Sequence, residues 1–81
     1  MPTKIKIVMF TKNNCGDCKR AKFMLKHCPI DVEIEEINVE SKENQHYIEQ
    51  QGLMTLPAFL MEDGNIIHGF HEGKIMNALG L

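Results

Sequence analysis

The chain begins with a short, mostly apolar run and then changes to a helical spacing. The segment "IKIVMF", from Ile5 to Phe10, is β-branched and apolar between polar neighbours, which predicts a buried strand. Apolar residues then recur at intervals of three and four, which predicts a helix with one buried face. The residues of this stripe are Cys18, Ala21, Leu25 and Cys28, with Met24 beside them. Pro29 is expected to end the helix, and Phe23 lies off its stripe without an explanation.

The next segment predicts an acidic edge strand and a helix. In "DVEIEEINV" the apolar positions alternate at Val32 and Ile34 and shift phase at Ile37, which indicates a bulge or a register change. Ser41 is the expected N-cap of a helix that runs to about Gln51, where a glycine follows.

The last third of the chain predicts a hairpin and a closing helix. "PAFLM" and "NIIHGF" are expected to form two antiparallel strands around a two-residue turn at Asp63 and Gly64. "HEGKIMNAL" follows as a short helix. The element order is then β-α-β-α-β-β-α, with the first two strands parallel. This order predicts one α/β domain over residues 1–81, built on a four-stranded mixed sheet with helices on both faces.

Composition and charge narrow the possible functions. The net charge of −2 provides no basic field for nucleic acid, so no nucleic-acid partner is expected. The chain has no apolar run of roughly 18 residues and no signal peptide at its start, so we expect a cytoplasmic protein without a membrane partner. Basic residues surround the cysteine pair. They are either simply a solvated face of the protein or a group placed there to stabilise a thiolate. These residues are Lys12, Lys19, Arg20, Lys22 and Lys26.

Cys15 and Cys18 are the candidate catalytic residues. In a reducing compartment a cysteine pair is more often catalytic or metal-binding than structural. Cys15 falls at the start of the predicted helix, where free N–H groups and the helix dipole lower the pKa of a thiol from its usual value of about 8.5. We expect Cys15 to be exposed and Cys18 to be shielded, as an attacking and a resolving thiol would be. Asp17 opposes the effect on the pKa, and Lys12 supports it.

A zinc site is the alternative use of the same two cysteines. Tetrahedral zinc needs two more ligands. The chain offers histidines and Cys28 but no second C-x-x-C or H-x-x-H, so no metal is expected. Cys28 lies on the apolar stripe and is expected to be a packed small hydrophobic residue.

Three motifs resemble those of the glutaredoxins, the smallest members of the thioredoxin superfamily. "FTKNNCGDCKRAKFML" is similar to their Thr-Lys-x-x-Cys-x-x-Cys motif between a strand and a helix. "TLP" stands where they carry Thr-Val-Pro with a cis proline, and "HGF" stands where they carry Gly-Gly. The resemblance covers essentially the whole chain and implies a thioredoxin-like fold.

The resemblance also implies an activity and a set of site residues. The activity is dithiol–disulfide exchange, with Cys15 as the nucleophile and Cys18 as the resolving cysteine. Lys12 would reach an anionic group of the substrate, and the backbone of Leu56 would pair with an extended substrate cysteine. The implied substrate-binding residues are Lys12, Thr55, Leu56, Pro57, Gly69 and Phe70.

Departures from the glutaredoxin pattern bear on the partner. Gly16 and Asp17 replace the usual Pro-Tyr, and Phe70 and His71 replace small polar residues that help to hold glutathione. "QGLMTLP" and "HGFHEGKI" resemble the NrdH-type redoxins, which are hydrogen donors for ribonucleotide reductase and take electrons from a flavoprotein reductase.

These resemblances imply a monomer without a tightly bound cofactor. Its partners would be proteins that contain disulfides, such as ribonucleotide reductase. Its electron donor would be either glutathione, as a co-substrate, or a thioredoxin reductase. The pair Cys15-Gly16 is also similar to the monothiol glutaredoxins, so an iron–sulfur-binding module is the other function that stays open.

Overall fold

The computed structural model describes residues 4–53 and 55–80, and within them the predicted element order is confirmed. The strands are β1 (Ile5–Thr11), β2 (Val32–Asn38), β3 (Ala58–Leu60) and β4 (Ile66–His68). The α-helices are α1 (Gly16–His27), α2 (His46–Gln50) and α3 (Glu72–Ala78), and a 3₁₀ turn, Lys42–Asn44, precedes α2. The predicted domain range of 1–81 includes residues 1–3, 54 and 81, which lie outside the described residues.

The strands form one mixed sheet in the order β2-β1-β3-β4. β1 and β2 are parallel, as a strand–helix–strand unit predicts, and their register runs without interruption from the pair Ile5–Val32 to the pair Thr11–Asn38. β3 pairs antiparallel with both β1 and β4, so the predicted hairpin is confirmed. β2 is an edge strand, as its acidic composition indicated.

Helices cover both faces of the sheet, and the sheet separates the apolar core into two clusters. On one face α1 and α3 pack over the central strands, with Ala21, Leu25 and Ile75 against Phe59. On the other face, Tyr47 of α2 packs against a smaller cluster around Phe10 of β1. Covered faces on both sides are the reason that β1 is apolar at successive positions.

The bulge predicted in β2 is wrong. Val32 and Ile34 point into the cluster under α1 and α3, whereas Ile37 points into the cluster under α2. A regular strand presents successive residues to opposite faces, so the phase shift in the apolar pattern marks a change of buried face and leaves the register intact.

Two further expectations need correction. The helix expected from Ser41 to Gln51 is divided into the 3₁₀ turn and the five-residue α2, and Ile48 stays 42% exposed, so little apolar surface supports a longer helix. The hairpin loop has three residues between Met61 and Asn65. The backbone N–H of Met61 donates to the carbonyl of Asn65 at 2.9 Å and closes the loop. Gly64 has a φ of +89°, the left-handed conformation that a three-residue hairpin loop requires.

Candidate active site

Cys15 is the N-cap residue of α1. Its backbone is extended, with φ −101° and ψ 105°, and its Sγ accepts a hydrogen bond from the backbone N–H of Cys18 at 3.2 Å. The first N–H groups of a helix have no partner within the helix, so a side-chain acceptor at this position satisfies one of them. The sulfur of Cys15 therefore lies at the positive end of the α1 dipole.

Cys15 and Cys18 are joined as a disulfide, and their Cα atoms are 5.2 Å apart. The expected difference in exposure is wrong for this oxidised form, because Cys15 is 8% exposed and Cys18 is 6% exposed. The bond to Cys18 and the hydrogen bond from its N–H hold the Cys15 sulfur against the helix. Asp17, between the cysteines, has its carboxylate 3.4 Å from the guanidinium of Arg20.

A shallow depression of about 320 Å³, here called the Cys15 depression, contains the first of the two sulfurs. Its lining residues are Lys12, Asn14, Cys15, Gly16, Asp17, Arg20 and Leu56. The structure thus brings together three residues that the sequence singled out: Lys12, Cys15 and Leu56. A neighbouring cavity of about 260 Å³ is lined by both cysteines, with Lys12 and Lys19 at its edge. Cations outnumber carboxylates around the disulfide, because Asp17 is the acidic residue of the Cys15 depression and Glu36 that of the neighbouring cavity.

The segment before β3 and the turn after β4 meet beside this depression. The Leu56–Pro57 peptide bond is cis, as the resemblance implied, and the Pro57 side chain is fully buried. The carbonyl of Pro57 accepts a hydrogen bond from the N–H of Gly69 at 2.8 Å. Gly69 is buried with a φ of +81°, and Thr55 is exposed. This contact links two of the segments that the sequence assigned to substrate binding.

Phe70 lies elsewhere. Its half-buried side chain packs against the cluster under α1 and α3, and it lines a separate groove between those two helices. The structure does not place it among the residues that line the Cys15 depression. His71 is exposed and is the N-cap of α3, whose first turn carries the carboxylate of Glu72.

Sequence reasoning missed two residues at the site, Asn14 and Glu40. Asn14 has a φ of +55°, a conformation that asparagine tolerates better than most residues, and this preference is the only local signal. Arg20, which the sequence grouped with the basic residues around the cysteine pair, also lines the Cys15 depression. Glu40 accepts a hydrogen bond from the backbone N–H of Asn13 at 2.9 Å, across 27 positions of sequence that no local pattern connects.

Two searches of the described residues bear on other functions. Residues 4–53 and 55–80 contain no group of three or more His, Cys, Asp or Glu side chains arranged to hold a metal ion. In the same part of the chain, no helix has the length and apolar character that crossing a membrane requires.

Comparison with known proteins agrees with this geometry. The family model described as Glutaredoxin matches residues 7–66. The crystal structure of the glutaredoxin from Methanosarcina mazei is similar, with 22% identity and a TM-score of 0.78 over 98% of this chain and 84% of that chain. The crystal structure of the glutaredoxin from Archaeoglobus fulgidus also has 22% identity, with a TM-score of 0.73 over 93% and 86%.

A thioredoxin-like protein, also known from its crystal structure, has 24% identity and a TM-score of 0.75 over 89% of this chain and 97% of that chain. At these identities the likeness shows a thioredoxin-like fold. None of the curated proteins matches the chain.

Proposed function

The chain belongs to the glutaredoxin family and is a thiol–disulfide oxidoreductase, and we propose that Cys15 attacks its substrates and Cys18 resolves the intermediate. One observation supports this order most strongly: Cys15 is the N-cap of α1, and its Sγ accepts the Cys18 N–H. A sulfur that accepts a backbone N–H at a helix N-terminus is stabilised as a thiolate, which is the attacking form.

The reaction proceeds in two exchanges. The Cys15 thiolate attacks one sulfur of the substrate disulfide, and the other substrate sulfur leaves as a thiolate. Cys18 then loses its proton and attacks the Cys15 sulfur, and the second substrate thiolate leaves. The substrate gains two electrons and takes up two protons, and the protein is left with the Cys15–Cys18 disulfide that the structure contains.

The proposed substrates are cysteines in extended segments of proteins. Leu56 lines the Cys15 depression, which supports the proposal that its backbone pairs with a substrate strand beside the reacting sulfur. Lys12 lines the same depression and would attract an anionic group of the substrate. The specific substrate that we propose is the disulfide of ribonucleotide reductase. The NrdH-like motifs suggest this role, because NrdH-type redoxins are hydrogen donors for that enzyme.

We propose that a flavoprotein reductase regenerates the dithiol more efficiently than glutathione does. Glutathione carries carboxylates, and tight binding needs cations and N–H donors around them. Lys12 is one such cation, but the first turn of α3 carries the carboxylate of Glu72, and the half-buried Phe70 packs against the core away from the Cys15 depression. A dithiol donor also needs a reducing compartment, so the proposed location is the cytoplasm, with the protein acting as a monomer without a tightly bound cofactor.

Trapping of the intermediate tests the roles of the two cysteines. Cys15→Ser should abolish reduction of a protein disulfide, because it removes the attacking sulfur. Cys18→Ser should stop the reaction after the first exchange and accumulate a mixed disulfide, which mass spectrometry detects as an added substrate mass on Cys15. Accumulation of the mixed disulfide on Cys18 in the Cys15→Ser variant instead would reverse the assignment.

A separate assay tests the electron donor. The oxidised protein is mixed either with NADPH and a thioredoxin reductase, or with reduced glutathione, NADPH and glutathione reductase, and NADPH consumption is followed. We expect faster turnover with the thioredoxin reductase. Rapid reduction by glutathione with no response to the thioredoxin reductase would refute the donor proposal and leave the roles of the cysteines unaffected.

A further inference from the structure

A mainly apolar groove lies between α1 and α3 beside the active site and is here called the α1–α3 groove. Its volume is about 670 Å³. Four of its lining side chains are large and apolar: Phe23, Met24, Phe70 and Met76. Isolated apolar residues on a surface are ordinary, but several that line one concavity form a patch of the kind that binds partners.

Phe23 is the most exposed of these four apolar side chains. Its side chain is 67% exposed, and its ring contacts the ring of His27 in a tilted arrangement with the centroids 4.4 Å apart. The core does not use this residue, because the buried face of α1 consists of Cys18, Ala21 and Leu25. Methionines in the groove add flexible side chains that adapt to the shape of a partner.

The groove is continuous with the surroundings of the disulfide. Arg20 lines both the α1–α3 groove and the Cys15 depression, and Lys19 lines both the groove and the cavity beside Cys18. Phe23 follows Cys15 by eight residues, which is about 12 Å along a helix axis. A partner whose disulfide reaches Cys15 therefore extends within reach of Phe23.

The charge around the groove indicates the chemistry of that partner. Lys19, Arg20 and His27 lie at the groove, and Glu72 is the acidic residue that lines it. Lys19 and Arg20, which the groove shares with the surroundings of the disulfide, attract carboxylates, and this attraction raises the rate of encounter with an acidic surface. The carboxylate of Asp17, 3.4 Å from Arg20, offsets part of that charge.

We infer that the α1–α3 groove docks an acidic segment of the disulfide-bearing partner protein, with one large apolar side chain of that segment against Phe23. The inference rests on the proposed function, because the same partner presents its disulfide to Cys15. An extended chain advances about 3.3 Å per residue, so the apolar anchor lies roughly four residues from the reacting cysteine of the partner.

Matched peptide disulfides test the spacing and the charge. Each peptide carries one cysteine activated as a mixed disulfide with nitrothiobenzoate, whose release is coloured. The protein is reduced beforehand, freed of reductant and mixed in excess over the peptide, so that the dependence of the rate on protein concentration gives the single-turnover equivalents of kcat and KM. The test peptides place a leucine four residues before or after the cysteine, with glutamates beside it. Control peptides replace the leucine by serine or the glutamates by lysines. We expect kcat/KM to be about tenfold higher for the better of the two test peptides than for either control, mainly through KM.

Protein variants show whether Phe23 provides the contact. Phe23→Ser should remove the preference for the leucine peptide, whereas Phe23→Leu should keep most of it. Ile48→Ser is the matched control, because Ile48 is the other large exposed apolar residue among the described residues and lies on α2, on the opposite face of the sheet. All three variants should reduce hydroxyethyl disulfide at the wild-type rate, since this small substrate does not reach the groove.

The outcomes separate this inference from the proposed function. Equal rates with all peptides, or a preference for lysine over glutamate, would overturn the docking inference while reduction of hydroxyethyl disulfide stays intact. If the wild-type protein does not reduce hydroxyethyl disulfide at all, the result would instead contradict the proposed chemistry. A dimer in sedimentation that Phe23→Ser dissociates would assign the groove to a second copy of the chain and also overturn the inference.

Discussion

Two cysteine side chains with opposite hydrogen-bonding roles define the chemistry at the residue scale. The sulfur of Cys15 accepts a backbone N–H at the start of α1. The S–H of Cys28 donates to the carbonyls of Leu25 and Ile30, at 3.2 and 3.3 Å, at the end of the same helix. A backbone N–H that donates to a sulfur favours the thiolate form of that sulfur. Of these two cysteines, Cys15 has this contact, so we expect it to be the more reactive thiol.

Cys28→Ala should therefore keep disulfide reduction and lower the stability only modestly. Cys28 is half-buried at the C-cap, so we expect the free energy of unfolding to fall by about 1 kcal/mol through lost contacts. Urea denaturation and the hydroxyethyl disulfide assay measure the two effects. A folded variant that no longer reduces hydroxyethyl disulfide would show that Cys28 takes part in the reaction.

Single residues were predictable where they follow a short motif. The helix-start position of Cys15 was expected from the local sequence, and the cis bond before Pro57 was expected from the resemblance to the glutaredoxins; both are present. The equal burial of Cys15 and Cys18 was not expected, because a sequence does not show how far a disulfide draws a sulfur toward the helix. The place of Phe70 in the groove was also not predictable, since it depends on how α1 and α3 pack.

At the scale of elements, the loop between β1 and α1 is tied to the end of β2. Glu40 accepts the Asn13 N–H at 2.9 Å, and the side-chain amide of Asn38 donates to the Asn13 side-chain oxygen at 2.8 Å. The carbonyl of Thr11 also accepts the N–H of Val39 at 2.9 Å. These contacts position the loop that carries Lys12 immediately before the nucleophile.

Glu40→Ala should loosen this loop. Removal of the carboxylate leaves the Asn13 N–H without its protein partner, so we expect the free energy of unfolding to fall by about 1 kcal/mol and kcat/KM to decrease. Glu43→Ala is the matched control, because it removes the same charge from the exposed 3₁₀ turn and should leave both quantities unchanged. The same urea midpoint for both variants would show that the Glu40 contact contributes nothing.

Gly69 and Gly73 should respond in opposite directions to substitution by alanine. Gly69 has a φ of +81°, and a Cβ there would lie 3.3 Å from the His71 ring nitrogen, so Gly69→Ala should cost about 1–2 kcal/mol of stability. Gly73 lies in α3 with open space around it, so Gly73→Ala should add roughly 0.5–1 kcal/mol. Thermal unfolding compares the two, and a stabilised Gly69→Ala would contradict the role of the turn.

Elements were predictable where an apolar pattern is strong. The stripe of α1 and the run of β1 gave correct elements because burial alone determines them. The phase shift in β2 was misread, because a sequence does not show that Ile37 meets a second core on the opposite face. The division of the expected helix into a 3₁₀ turn and the short α2 was missed. Ser41 marks where a helix can begin, but it does not show whether enough apolar surface follows to support a long one.

On the scale of the whole molecule, the two charge runs of the sequence form adjoining surfaces. The basic helix α1 lies beside the acidic edge strand β2, where Lys22 Nζ is 2.8 Å from Glu36 Oε2. Exposed ion pairs of this kind stabilise a fold by at most about 1 kcal/mol. Lys19 and Arg20, near the disulfide, belong to the mainly basic surface of α1, on which Asp17 is the acidic residue. That arrangement depends on the sheet order and was left open by the sequence.

The central claim, that Cys15 is the attacking thiolate, is tested most directly by alkylation of the reduced protein. The protein is treated with limiting iodoacetamide over a series of pH values, and the label on each cysteine is quantified by mass spectrometry, with Cys28 as an internal reference thiol. The account predicts that Cys15 is labelled first and that its rate rises at a pH below the value of about 8.5 for a free cysteine. Faster labelling of Cys18, or a Cys15 rate that rises only near that free-cysteine value, would contradict it.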